Sequence, residues 1–433
     1  MFSNVSFYWS LSSLSIIVIY AILVFKNVEP IVATTIGVLL GFIFNHSTPI
    51  EMGQSLEAGL SSFLALIGFI IMLGRGLGEV LLETKVSHTI VHKIVYSIGI
   101  NTQRRVKVGI ILSSITIVAL LGTLAGGLAI LAPILRPIAA AVGINRPSFA
   151  ALSQASGEEA LILGPFTPPV VTLIGVTSLS YPTILFHIAL PISVVTIVTS
   201  WLMANYLQKK YPEELFDETI ATDTFIPSVK NNLVTTIFLI GFIFAVIYGL
   251  TMHAKTPFII VVMFFLSFIT GLSSGISIKR IFELIISGMQ KNLYLFLIFI
   301  LLDPFLNLIQ SAGGFSSLSK LFIPLEHYGG KPMLAILIGL TGAFGMPAAA
   351  AAVIKMLHDL FYPAVLGMNL PVTTFAFSML IATRITNFAY PGANMFAAMG
   401  FAESKNIKAM IKNGLTITVV QILFLISYSI IFV

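Results

Sequence analysis

Four charged side chains stand in this sequence where apolar residues surround them. Glu158 and Glu159 precede the run Gly164-Pro165-Phe166-Thr167-Pro168-Pro169, Arg384 precedes Asn387-Phe388-Ala389-Tyr390-Pro391-Gly392-Ala393-Asn394, and Asp303 lies deep in an apolar stretch beside Pro304. At the centre of a bilayer each such charge costs about 2.5–3.5 kcal/mol on insertion scales, so each asks for a partner or a purpose. A glutamate or aspartate in that setting can carry a proton or ligate a coupling cation, which marks Glu158, Glu159 and Asp303 as ion-coupling candidates. Adjacent glutamates project about 100° apart on a helix, so one of the pair suits a cation and the other a structural contact. Arg384 presents a planar fork of donors that fits a carboxylate or phosphate, and it is the candidate for a substrate anion. Neutralising Glu158, Glu159 or Asp303 is its equal alternative role.

Elements must break to bring such groups to a ligand. Three prolines within Gly164–Pro169 remove backbone donors and clash with the preceding turn, so a helix entering at Ser148 has to stop there. The second run, Asn387 to Asn394, lies at the equivalent position and breaks at its proline, with Asn387 and Asn394 able to satisfy freed backbone groups or a ligand. A broken helix offers amide donors at the start of its second half and carbonyls at the end of its first. Thr167, Pro168, Pro169, Asn387 and Asn394 therefore join Arg384 as substrate-binding candidates; a proline kink without a ligand is the plainer alternative. Gly122 and Thr123, beside Gly126 and Gly127, complete that set, although helix packing explains small residues equally well. Lys355, His358 and Asp359 form one polar patch that suits either an interfacial anchor or a proton relay.

Composition decides the solvent. The 433 residues are 57% hydrophobic and 9% charged, with a mean hydropathy of +1.01, too little polar surface to cover a water-soluble globule. Apolar runs long enough to span a membrane recur along the whole chain, and several are too long for one crossing. The sequence predicts an all-α polytopic membrane protein with about 12 to 14 transmembrane or re-entrant segments. The first apolar run lacks a small-residue cleavage site and reads as a retained helix. No cysteine is present, which excludes disulfides and thiolate metal centres. The net charge of +6 reflects Lys and Arg gathered in short loops as topology determinants and calls for no nucleic acid. No nucleotide-binding loop, catalytic triad or metal-ligand spacing occurs, so neither an enzyme nor an ATP-driven pump is expected, and no cofactor beyond a coupling H+ or Na+.

The chain also repeats itself. Gly143-Ile-Asn145-Arg-Pro147 matches Gly367-Met-Asn369-Leu-Pro371, and each precedes an apolar stretch that carries charge and breaks at proline. Leu66–Glu83 resembles Leu295–Gln310 more loosely, placing Gly74 opposite Asp303. If the basic loops are cytoplasmic, the N-terminus is outside and each half crosses an odd number of times. Two inverted-topology repeats follow, residues 1–207 and 231–433, joined by a polar cytoplasmic linker at 208–230 that contains Asp217, Glu218 and Asp223. Paired breaks and buried charges in inverted repeats are the pattern of a secondary transporter in a cell membrane, here a bacterial cytoplasmic one.

The run Leu73-Gly74-Arg75-Gly76-Leu77-Gly78-Glu79-Val80-Leu81-Leu82-Glu83, with Thr89-Ile90-Val91 and Leu131-Ala132-Pro133, resembles the gluconate permease family of anion:cation symporters. That family sits in the ion transporter superfamily, which also holds sodium:proton antiporters of the NhaC type. Gluconate permeases carry a His-Thr-Pro-Pro-His-Pro-Gly run near the middle break; here only Thr167-Pro168-Pro169 is kept, with Phe166 before and Val170 after. The resemblance implies a place for these three residues in the substrate region, and it is compatible with a homodimer. The expectation is proton- or sodium-coupled symport of a small organic anion, a sugar acid or carboxylate, by alternating access, with sodium:proton antiport as the alternative. Glutamine at Glu158 or Glu159 is expected to abolish coupling before it abolishes folding.

Overall fold

The computed structural model describes residues 8–26, 28–99, 101–216, 225–252, 254, 256–342 and 350–433. Asp217, Glu218 and Asp223 of the linker lie outside the described residues. Helix is the regular element throughout, and the one β contact among the described residues is an isolated bridge between Asn145 and Leu215. Among those residues, 8 helical segments are long and apolar enough to cross a bilayer, and shorter apolar helices such as Pro30–Phe44 and Phe258–Ser273 accompany them. The chain is an all-α, multi-pass membrane protein.

Proline and glycine set where the helices end. The Arg146–Leu163 helix begins at Asn145, whose side chain accepts from the Ser148 amide, with Pro147 in the first turn where its missing N–H costs nothing. It ends at Gly164, and the Pro168–Thr177 helix restarts after Thr167. The Val372–Ala389 helix likewise gives way to Ala393–Phe401 across Tyr390-Pro391-Gly392. Pro133, Pro137 and Pro304 instead lie inside continuous helices. The duplicated glycine-asparagine-proline motif marks a helix-to-helix turn in both halves, with different geometry. Gly143 takes a positive φ of 69° in the first copy, whereas Asn369 takes one of 50° in the second.

Contacts divide the chain into two compact units, one of residues 1–69, 292–386 and 423–433, the other of 70–291 and 387–422. Each takes segments from both sides of the 208–230 linker. In the first unit, the helices Pro30–Phe44 and Pro49–Leu60 lie against Leu293–Ser311 through small residues. A Cβ on Gly41 would meet Leu308 at 2.9 Å, and one on Gly59 the Ile300 carbonyl at 2.6 Å. Phe377 and Tyr428 stack with ring centroids 3.7 Å apart.

The second unit is organised around the Arg146–Leu163 helix, which is buried along nearly its whole length. It packs between Gln103–Leu121 and Leu190–Lys210. Hydroxyls clamp it to the latter: Ser148 Oγ donates to the Ala204 carbonyl at 2.8 Å and Ser200 Oγ to the Ala151 carbonyl at 3.2 Å. Phe63–Glu83 and Ile278–Lys291 meet backbone to backbone, since a Cβ on Gly288 would stand 2.5 Å from the Arg75 carbonyl.

Candidate functional site

Glu158 and Glu159 sit on the second half of the Arg146–Leu163 helix, both at 0% exposure. Their side chains diverge, as adjacent helical positions require. Glu158 Oε2 accepts from Asn387 Nδ2 at 2.8 Å and its Oε1 accepts from Asn394 Nδ2 at 2.7 Å. Glu159 Oε2 accepts from Ser193 Oγ at 2.9 Å, on the Leu190–Lys210 helix. The two asparagines come from opposite sides of the Tyr390–Gly392 break, so the break delivers one carboxamide to each oxygen of a single carboxylate. Ala155, Phe388 and Ile417 pack as a buried apolar cluster beside this contact. They fix the helix ends that carry Glu158 and Asn387.

Further polar groups lie near in the same unit. Gln154, one turn before Glu158 and on the same face, is fully buried, and neither its Nε2 nor its Oε1 has a protein hydrogen-bond partner. The same holds for both amide atoms of Asn413, one turn before Ile417. Buried amides of this kind are met in folded proteins by ordered water or an ion. Nothing in the sequence singles out Asn413, and the one signal for Gln154 is its spacing of four from Glu158.

A second locus in this unit joins the first break to the start of another helix. Gly122 ends the Gln103–Leu121 helix with a φ of 67°, and Thr123 begins the Leu124–Ala141 helix. A Cβ on Gly122 would lie 3.7 Å from Pro168 Cδ, so the N-termini of Leu124–Ala141 and Pro168–Thr177 converge there. Thr167 is fully buried and donates its hydroxyl to the Gly164 carbonyl at 2.7 Å. The Arg75 guanidinium lies directly on Gly126, where any Cβ would collide with it. Arg75 also pairs with Glu79 at 3.3 Å, and Glu79 with Lys291 at 2.6 Å. Gly122, Thr123, Pro168 and Arg75 thus gather around two positive helix ends, a setting that favours an anion. Pro169 follows in the first turn of its helix. Arg75 was read in the sequence only as part of a family resemblance.

The remaining candidates belong to the other unit. Arg384 is fully buried in Val372–Ala389, its Nε donating to Thr383 Oγ1 at 3.2 Å. Asp303 accepts from Asn307 Nδ2 at 2.9 Å, one turn along Leu293–Ser311. On the Ala350–Gly367 helix Lys355 pairs with Asp359 at 2.5 Å. His358 Nδ1 lies 3.1 Å from Asp359 Oδ1, and its ring stacks on Tyr362 at 4.7 Å.

Residues 1–197 match the sequence profile of the Na+/H+ antiporter family. No curated protein sequence matches the chain. Among solved structures, the transporter YdaH of Alcanivorax borkumensis, reported as having an unusual topology, is similar with a TM-score of 0.57 at 15% identity. The likeness covers 86% of this chain and 87% of that one, so the two share a fold. The matched segment and the shared fold support a secondary transporter of the ion-transporting class in the lipid bilayer.

Proposed function

We propose that the chain is a cation:proton antiporter, sodium being its first candidate ion, in which Glu158 passes between a proton-bound and a cation-bound state. The observation behind this reading is the burial of Glu158 with one carboxamide on each of its oxygens, drawn from the two sides of one helix break. A proton and an alkali cation compete for the same carboxylate oxygens, and that competition is what exchange requires. The asparagines suit both states. A half-turn of either amide replaces an Nδ2 donor with an Oδ1 acceptor, which gives a hard oxygen ligand to a cation. The match of residues 1–197 to the Na+/H+ antiporter family supports the same reading.

A second reading, symport of a small organic anion, is favoured by the converging helix ends at Gly122, Thr123 and Pro168 beside Arg75 and by the resemblance to gluconate permeases. In it, Thr167 and Pro169 shape the anion pocket, while Glu158 carries the coupling ion. Purified protein in sealed liposomes with an internal pH-sensitive dye separates the two readings. Sodium alone evoking proton movement favours antiport. Proton movement that requires a sugar acid or another small carboxylate favours symport.

A further inference from the structure

The basic end of the last helix is unusual in how its amines are held. Ile407–Phe432 and Leu190–Lys210 run side by side in opposite directions, joined by Gln421 Nε2 donating to Thr196 Oγ1 at 2.8 Å and by Lys412 Nζ donating to Tyr206 Oη at 2.7 Å. Lys412 Nζ stands 4.2 Å from the Tyr206 ring centroid and Lys210 Nζ 5.7 Å from the same ring. Two cations therefore share one aromatic ring. Among the described residues neither makes an ion pair with a carboxylate. A shallow, open groove lined by this last helix alone starts at Lys408 and Lys412 and continues over Ile411, Leu415, Thr416, Val419 and Val420. Leu415 and Val419 are 49% and 56% exposed on this outer face, while Asn413, Ile417 and Gln421 on the opposite face are fully buried.

We propose that this groove is a binding site for an anionic phospholipid, with its phosphate among Lys408, Lys412 and Lys210 and an acyl chain along Leu415, Val419 and Val420. The groove is charged at one end and apolar along the rest, which is the profile of an amphiphile with a negative head. Lys209, Lys210, Lys405, Lys408 and Lys412 fall on the side that the loop charges make cytoplasmic, at headgroup depth. A second copy of the chain fits this face poorly. Two copies inserted with the same orientation meet through a twofold axis along the membrane normal, which sets lysine cluster against lysine cluster.

Native mass spectrometry of the full chain, released from bilayers of equal phosphatidylglycerol and phosphatidylcholine, tests the site. The wild type is expected to retain phosphatidylglycerol preferentially. Each lysine replaced by glutamine, in Lys408→Gln, Lys412→Gln and Lys210→Gln, lowers that preference by about fivefold. The conservative variants Lys408→Arg and Lys412→Arg keep it, which separates loss of charge from loss of fold. Equal retention of the two lipids by the wild type, or an unchanged preference in the triple glutamine variant, overturns the proposal. So does a dimer in which this face is cross-linked irrespective of the lipid supplied.

Discussion

Two neighbouring glutamates in one helix have different surroundings, and the difference predicts different phenotypes. Glu158 is held by carboxamides that can serve a cation, whereas Glu159 is tied to Ser193 on a neighbouring helix. The contact with Ser193 revises the expectation from sequence that glutamine at either position abolishes coupling: Glu159→Gln is expected to leave the sodium dependence of proton flux in place while lowering the melting temperature. Asn387→Leu removes one ligand from Glu158 and should raise the sodium concentration for half-maximal flux about tenfold or more, read from a sodium titration in liposomes. A third carboxylate has a purely structural task. Glu51 closes a capping box with Thr48 at the start of Pro49–Leu60. The Thr48 backbone N–H, and then its hydroxyl, hold the Glu51 carboxyl below the usual glutamate range. A carboxyl depressed in the folded state stabilises at and above its ordinary titration range, and loses that contribution as pH falls through the lowered value. Amide exchange in the first turn of this helix should accordingly accelerate on acidification below the ordinary glutamate range, and Glu51→Gln should remove the pH dependence.

Among the elements, the start of the Arg146–Leu163 helix decides where Glu158 stands. Asn145 caps that helix through Ser148, and its Nδ2 donates to the carbonyls of Leu207 at 3.0 Å and Tyr211 at 2.8 Å, where the Leu190–Lys210 helix ends. Asn145→Ala removes a cap and two side-chain hydrogen bonds between helices, a loss of about 2 kcal/mol that thermal unfolding in detergent would show. The backbone contact between Phe63–Glu83 and Ile278–Lys291 is equally exacting. Gly288→Val inserts atoms where even a Cβ alone would stand 2.6 Å from Gly76 Cα, and is expected to cost about 1–3 kcal/mol. The sequence carried these element boundaries well. Proline lacks an N–H wherever it stands, so breaks within Gly164–Pro169 and Asn387–Asn394 are readable without neighbours, whereas Asn145 stands out in the sequence only as part of a repeated motif. Pro304 shows the limit of the rule, because it lies within a continuous helix that neighbouring helices support.

At the scale of the molecule, sequence patterning alone conveys less. Lipid-facing and core-facing helices are both apolar, so hydropathy announces a multi-pass chain but not which helix packs on which. The pairing of Glu158 with Asn387 and Asn394 joins residues from the two halves of the chain, and it depends on helix rotation that apolar stretches leave unspecified. Arg75 reaches Gly126 for the same reason. The compact units are discontinuous in sequence, each drawing on both halves, while a reading along the chain divides it at the polar linker. What composition, breaks and buried charges jointly convey is a membrane protein that keeps carboxylates at depth, and both transport readings begin there.

Exchange at Glu158 is tested most directly by sodium-evoked proton flux into dye-loaded liposomes by the wild type and by Glu158→Gln, with folding checked by thermal unfolding. Sodium-dependent flux is expected in the wild type without any organic substrate, and none above the protein-free background in a folded Glu158→Gln. Wild-type flux in that variant, with the same sodium dependence, would contradict it.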